Sequence, residues 1–199
     1  MGWFGNCKDE VWQQLSQEIG ADFVDGGFWK GKKVQVHAKP WTITLDTYTE
    51  STGESHVTYT RMRAPYINPE GFRFTIYRKG FLSELGKLLG MQDIEVGDPE
   101  FDEAFIIKGN DEVKVVKLFA DAKVRRMIED QPKIRLEVKD NEGWFGPQFP
   151  ENVDELRFQI VGVLKDIERL KALFDLFTAM LDQLCRIGSA YKQDPGVEL

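Results

Sequence analysis

Apolar residues recur along this chain with two different periods, and the changes between them mark out its elements. From Asp9 to Ile19, Val11, Trp12, Leu15 and Ile19 return at steps of three and four with Gln and Glu between them. That spacing predicts a short amphipathic helix, stopped by Gly20. The period then falls to two. Val34-Gln35-Val36, Trp41 to Tyr48, His56 to Arg63 and Phe72 to Tyr77 alternate and are rich in β-branched and aromatic residues, which predicts strands of an antiparallel meander. Glu50 to Glu54 supplies a hairpin turn, and Pro65, Pro69 and Gly71 the next connection. Threonine-rich alternation leaves one face of such a sheet to solvent and the other to helices.

Beyond Gly80 the helical period returns. Phe81, Leu82, Leu85, Leu88 and Leu89 form one stripe closed by Gly90, a second helix placed to cover the sheet. Ala104 to Lys108 reads as a strand, Gly109-Asn110-Asp111 as a turn and cap, and Asp111–Phe119 and Asp121–Glu129 as two short helices. Pro132 to Lys139 returns as a strand through Ile134, Leu136 and Val138. A loop carrying Trp144, Phe145 and Phe149 follows.

The strongest periodicity lies at the C-terminal side. Val153, Leu156, Ile160, Val163, Ile167, Leu170, Phe174, Phe177, Leu181 and Leu184 alternate steps of three and four in an a/d heptad register. Asn152 and Glu155 make a capping pair at its start and Gly188 follows its end, so one helix is expected over residues 152–188. A strand through Leu156 to Ile160 competes, but it leaves the caps and the register as coincidences. Such a helix would be roughly 54 Å long, against about 40 Å for a compact body of this chain length. It must therefore bend, most naturally at Gly162, or reach a partner chain. Leu164, Leu173 and Met180 widen its stripe beyond a two-stranded seam, which favours packing on the chain's own sheet. The expected fold is thus α+β: a single domain over residues 1–199, an antiparallel meander covered by helices, ending in a long heptad helix.

Composition narrows the setting. At 42% hydrophobic and 30% charged residues the chain is far from the disordered class. A net charge of −7 repels phosphate backbones, so no nucleic acid is expected as a partner. No apolar run approaches the roughly 20 residues of a membrane span. The first residues lack the basic and apolar regions of a signal peptide, and Asn6 stands where a myristoylation signal wants Ser or Thr. Cys7 and Cys185 form no CxxC, which fits a reducing cytoplasm.

Candidate chemistry is sparse. Asp98, Glu100, Asp102 and Glu103 invite a hard cation, but Glu103 stands where an EF-hand needs glycine, and Asp98-Pro99 fits the start of one helical turn. His37 and His56 sit in predicted strands, where either might meet Asp46 as a base or metal ligand. No nucleophile elbow, GxGxxG or P-loop occurs, and no cofactor is expected. Cys185, on the inner side of the last helix, fits a small buried thiol. Trp144, Phe145 and Phe149 could form a partner-binding surface or a lid on the core.

The phrase Val96-Gly97-Asp98-Pro99-Glu100-Phe101-Asp102-Glu103-Ala104-Phe105, with the Gly109-Asn110-Asp111 turn and the helix ending Arg125-Arg126-Met127-Ile128, resembles one shared by uncharacterised bacterial protein families of unknown function. The resemblance covers about residues 95–140 and implies no activity or site residue. Two functions are therefore carried forward. The first is a non-enzymatic interaction or scaffold module that presents the terminal helix or the Trp144 loop to a protein partner or a second copy. The second is a small-molecule-binding domain or enzyme with a pocket between sheet and helices, and divalent-metal binding at residues 98–103 stands behind it.

Overall fold

The alternation that predicts a meander builds a larger sheet. The computed structural model describes residues 7–25, 31–53, 55–80, 93–140 and 149–199. Among them are β1 (Asp22–Asp25), β2 (Lys32–Ala38), β3 (Trp41–Thr52), β4 (Ser55–Ile67), β5 (Phe74–Arg78), β6 (Phe105–Gly109), β7 (Arg135–Lys139) and β8 (Val153–Val161). They form one sheet in the order β1-β2-β3-β4-β8-β7-β5-β6, antiparallel at every described pairing. β2, β3 and β4 are three of the four strands expected of the meander; β1 precedes them as an added strand, and β5, expected as the fourth, pairs with β6 and β7 instead of β4. The helix expected over residues 81–90 and the loop through Trp144 and Phe145 lie outside the described residues.

Five helices accompany the sheet among the described residues: α1 (Lys8–Ile19), α2 (Pro99–Ala104), α3 (Glu112–Phe119), α4 (Ala122–Glu129) and α5 (Ile167–Arg186). Four of them start on an aspartate that accepts from a first-turn N–H: Asp98 from Phe101, Asp111 from Lys114, Asp121 from Lys123 and Asp166 from Arg169. The chain is α+β, with a C-terminal helix of 20 residues.

One correction concerns where that helix begins. Residues 153–161 are the strand β8, and the helix starts only at Ile167. Leu156, Phe158 and Ile160 alternate with Glu155, Arg157 and Gln159, and β4 pairs with them over eight residues, from Thr60↔Ile160 to Ile67↔Val153. Those ladder bonds outweigh the local helical pattern, because strand choice is decided by neighbours rather than by intrinsic preference. Asn152 is no N-cap: it holds φ 64, and its carbonyl accepts from Asn68 N at 2.7 Å. At about 30 Å, α5 fits within the body without bending.

Register aligns the core. Val34, Leu45, Met62, Phe158, Leu136, Ile76 and Ile107 follow one another across seven strands, all essentially inaccessible to solvent. Side chains from all five helices join this row in one apolar cluster. The stripe of α5 is absorbed there, with Leu170, Leu173, Phe174, Leu176, Phe177, Met180, Leu181 and Leu184 buried. Buried Thr60 clips the turn between β8 and α5, donating to Gly162 O at 2.7 Å and accepting from Leu164 N at 2.9 Å. Trp12 Nε1 reaches Leu164 O at 3.0 Å and fastens α1 to the same turn.

Gly162 redirects the chain there with φ +91, and an added Cβ would meet nothing within 4 Å. Gly162→Ala should therefore destabilise through backbone strain alone, by more than about 1 kcal/mol. Phe158→Ala, in the middle of the core row, should cost about 3–5 kcal/mol. Urea unfolding of both variants checks the two values.

Candidate functional site

The period of two that lines up the core also lines up the opposite face. Gln35, Thr44, Arg63, Arg157, Glu137, Thr75 and Lys108 follow one another across the same strands. Asp46 and Arg61 stand one step along on β3 and β4, and Glu155 on β8. The face is polar, yet several of its side chains are almost inaccessible: Arg63 is 3% exposed, Arg157 7% and Glu155 0%.

Asp46 organises one end. Arg61 grips it with two bonds, Nε to Oδ1 at 2.7 Å and Nη2 to Oδ2 at 3.0 Å, and Arg63 Nη2 adds a third at 2.5 Å. Paired arginines beside one carboxylate make strong charge-assisted contacts. Arg61 also lies 4.6 Å from the centre of the Tyr48 ring, and Tyr48 stacks on Tyr59 at 5.1 Å and 17°. Burial pushes the Tyr48 phenol up to about 12, so it stays protonated and donates to Glu50 Oε1 at 3.2 Å.

Beside the two rings is a cleft of about 480 Å³, lined by Tyr48, Tyr59, Arg135, Glu137, Lys139 and Arg157 together with Glu50 and Gln159. Arg157 Nη2 donates to Gln159 Oε1 at 2.5 Å and to Tyr48 Oη at 3.3 Å. Glu137 is bridged by Arg135 at 2.8 Å and Lys139 at 3.3 Å. The Nε atoms of Arg135 and Arg157 are buried and meet no acceptor.

Glu155 is the anomaly of this face. Both its carboxylate oxygens are buried without a hydrogen bond, and Arg157 Nη1 stands 3.9 Å away, beyond hydrogen-bonding reach. Burial raises its pKa above the usual carboxyl value, against the opposing pull of Arg63 and Arg157. Across the cluster Arg61, Arg63, Arg135, Lys139 and Arg157 outnumber Asp46, Glu50, Glu137 and Glu155 by one. Each proton held by Glu155 adds to that excess.

The residues singled out from sequence do not converge. His37 bonds Asp22 and Thr42, both at 3.1 Å, and His56 bonds Ser51 at 2.8 Å; neither meets Asp46. Two carboxylates of the acidic phrase are engaged locally, Asp98 capping α2 and pairing with Arg125 at 3.0 Å and Asp102 accepting from Val96 N and Gly97 N, while Glu100 and Glu103 are exposed. Among the described residues no group of three or more His, Cys, Asp and Glu is placed to hold a metal ion. Cys185 is half-buried, and burial raises its pKa. Phe149 is half-buried, while Trp144 and Phe145 lie outside the described residues. Among the described residues the facing side chains of sheet and helices form one apolar cluster, and the two clefts lined by Tyr48 and by Gln35 open on the other face. Sequence reasoning passed over Tyr48, Tyr59, Arg61, Arg63, Arg135 and Arg157. The alternation in Thr60-Arg61-Met62-Arg63-Ala64 and Leu156-Arg157-Phe158 was the available signal, and strand order was needed to join its parts. No helix among the described residues is long and apolar enough to cross a membrane. Comparison with known proteins gives no match, whether to family models, to curated proteins or to solved structures.

The folded protein holds the Glu155 proton more tightly than the unfolded chain does. Its contribution to stability is therefore full below the unfolded value of 4.5 and is lost as pH rises through the higher folded value. Glu155→Gln should remove that loss, so its melting temperature should gain on the wild type between about pH 4 and about pH 8. Thermal melts across that range test the sign. Asp102→Ala should cost about 1–2 kcal/mol through two orphaned N–H groups. Calcium at about 1 mM should leave the wild-type melting temperature unchanged, since only binding to the native state raises it.

Proposed function

We propose that the protein is a binding module for a small organic anion, seated in the cleft between Tyr48, Tyr59, Arg135, Lys139 and Arg157. The observation that carries this reading is the pair of guanidiniums at the cleft, Arg135 and Arg157, each with a buried Nε that no protein acceptor meets. The Arg135 side chain is one-third exposed, so an incoming carboxylate or phosphate oxygen can pair with the open part of its guanidinium. Lys139 adds charge at the rim, and the stacked tyrosines offer a flat apolar wall to a ring. The local cation excess overrides the net charge of −7 at short range only, which suits a small ligand and disfavours a polyanion.

A module that binds without transforming its ligand accords with the arrangement of these groups, since each cation near the cleft serves to hold charge. An interaction role through α5 has lost its apolar seam to the chain's own core, so a protein partner or second copy there has little to dock on. A reducing cytoplasm remains the proposed location, supported by two free thiols. Kinship with the bacterial families that share the phrase at residues 95–140 stands as a proposal on that phrase alone.

Calorimetric titration with benzoate and phenyl phosphate, set against neutral benzyl alcohol, tests the reading. Saturable heats should appear for the anions only and shrink with added salt. Arg157→Lys should weaken binding by about ten-fold or more, because the ammonium cannot reproduce the planar fork. Lys139→Gln should cost about two- to five-fold, as for a half-exposed charge. Equal heats for the alcohol and the anions would refute the assignment.

A further inference from the structure

The segment that follows α5 crosses to the other side of the sheet. Gly188 turns the chain with φ +78, Ser189 and Ala190 are buried, and Tyr191 N bonds Ile67 O at 3.3 Å at the end of β4. From there residues 194–199 lie over the polar face as a strap. Pro195, Val197 and Leu199 are half-buried, whereas Asp194, Gly196 and Glu198 are exposed, and Gly196 turns the segment with φ +67. Lys33 Nζ donates to the main-chain carbonyl of Leu199. Asp194 Oδ1 accepts from Gly196 N at 2.8 Å and kinks the segment.

The strap fits loosely. A cavity of about 670 Å³ remains between it and the strands, floored by Val24, Lys33, Gln35, Thr42, Thr44 and Pro65. Val197 and Leu199, the two apolar strap side chains that line it, are only half-buried. The floor supplies what an extended peptide needs: a lysine for a main-chain carbonyl, and apolar patches from Val24, Pro65 and the threonine methyls for alternate side chains.

We propose that this groove is a docking site for an extended peptide of a partner protein, apolar at alternate positions, and that residues 194–199 are its occupant in cis. The strap supplies the pattern of contacts, and the space beneath it leaves room for a segment that fills the groove better. Because the strap is tethered a few residues from Tyr191, its effective concentration is of millimolar order, so an unlinked peptide meets a groove that is already largely closed. The apparent affinity falls by the fraction of molecules with the groove open. The inference does not rest on the anion cleft, which is lined by other residues.

The test uses a fluorescein-labelled peptide Asp-Pro-Gly-Val-Glu-Leu, the sequence of residues 194–199. It is titrated by anisotropy into the intact chain, a chain ending at Gln193, and the double variant V197D/L199D. Saturable binding to the two variants with a Kd below about 1 mM, and binding at least about ten-fold weaker to the intact chain, is the expected result. A control peptide with Val and Leu replaced by Asp should not bind. Circular dichroism and melting temperature establish which variants fold, and the point variant serves if the shortened chain does not. The proposal is overturned if a folded variant binds neither peptide, binds both equally, or binds no better than the intact chain.

Discussion

The pairing of β4 with β8 is the contact on which the rest of the molecule depends. It joins the meander β1–β4 to the half built from β5, β6 and β7, and it places β8 in the middle of the sheet rather than at an edge. Phe158 enters the core row only because β8 takes that position between Met62 and Leu136. The same pairing delays the start of α5, because residues with a helical pattern are claimed by the ladder first. It also sets Arg61 and Arg63 beside Glu155, Arg157 and Gln159, so the cleft and the core have one cause. Without that register there would be neither a shared apolar row nor a shared polar one.

Local patterns made most elements legible. Strands β2 to β5, the first helix, the Asp98 cap, the two short helices and the Pro132–Lys139 strand were readable from period, turn residues and capping aspartates, whereas the short β1 was not. The failure at residues 152–166 has a definite physical origin. Leu156 and Ile160 satisfy a spacing of four and a spacing of two at once, so sequence period cannot separate strand from helix there. Only the vacant edge of β4 decides it, and that edge is about ninety residues away in sequence. Gly162 does change the direction of the chain, but it turns a strand into a helix rather than bending one helix.

The candidate site was hidden for a related reason. Motif reasoning looks for titratable groups near one another in sequence, and it found the acidic phrase and the histidines. The phrase proves to be helix grammar and the histidines to be ordinary sheet hydrogen bonders. The groups that do converge come from β3, β4, β7 and β8, each contributing one to three residues on alternate positions. Arginine predominates because its planar fork can hold Asp46 while its face lies on Tyr48, a combination that lysine cannot offer. Glu155 sets a contrasting condition: buried without hydrogen bonds among cations, it holds its proton more tightly than a solvated carboxyl does.

The position of β8 also matters while the chain is being made. About eighty-five residues separate the end of β4 from the start of β8, so at 5–20 residues per second the meander waits roughly 4–17 seconds for its central neighbour. During that interval β4 is an open edge with Met62, Ala64 and Tyr66 on one side, a template for pairing with another nascent chain. Arg61 and Arg63, already gathered around Asp46 within the meander, place charge on the other side of that edge, and Pro65 interrupts its row of N–H donors. The residues that later define the charged face thus first serve as gatekeepers of an unfinished sheet.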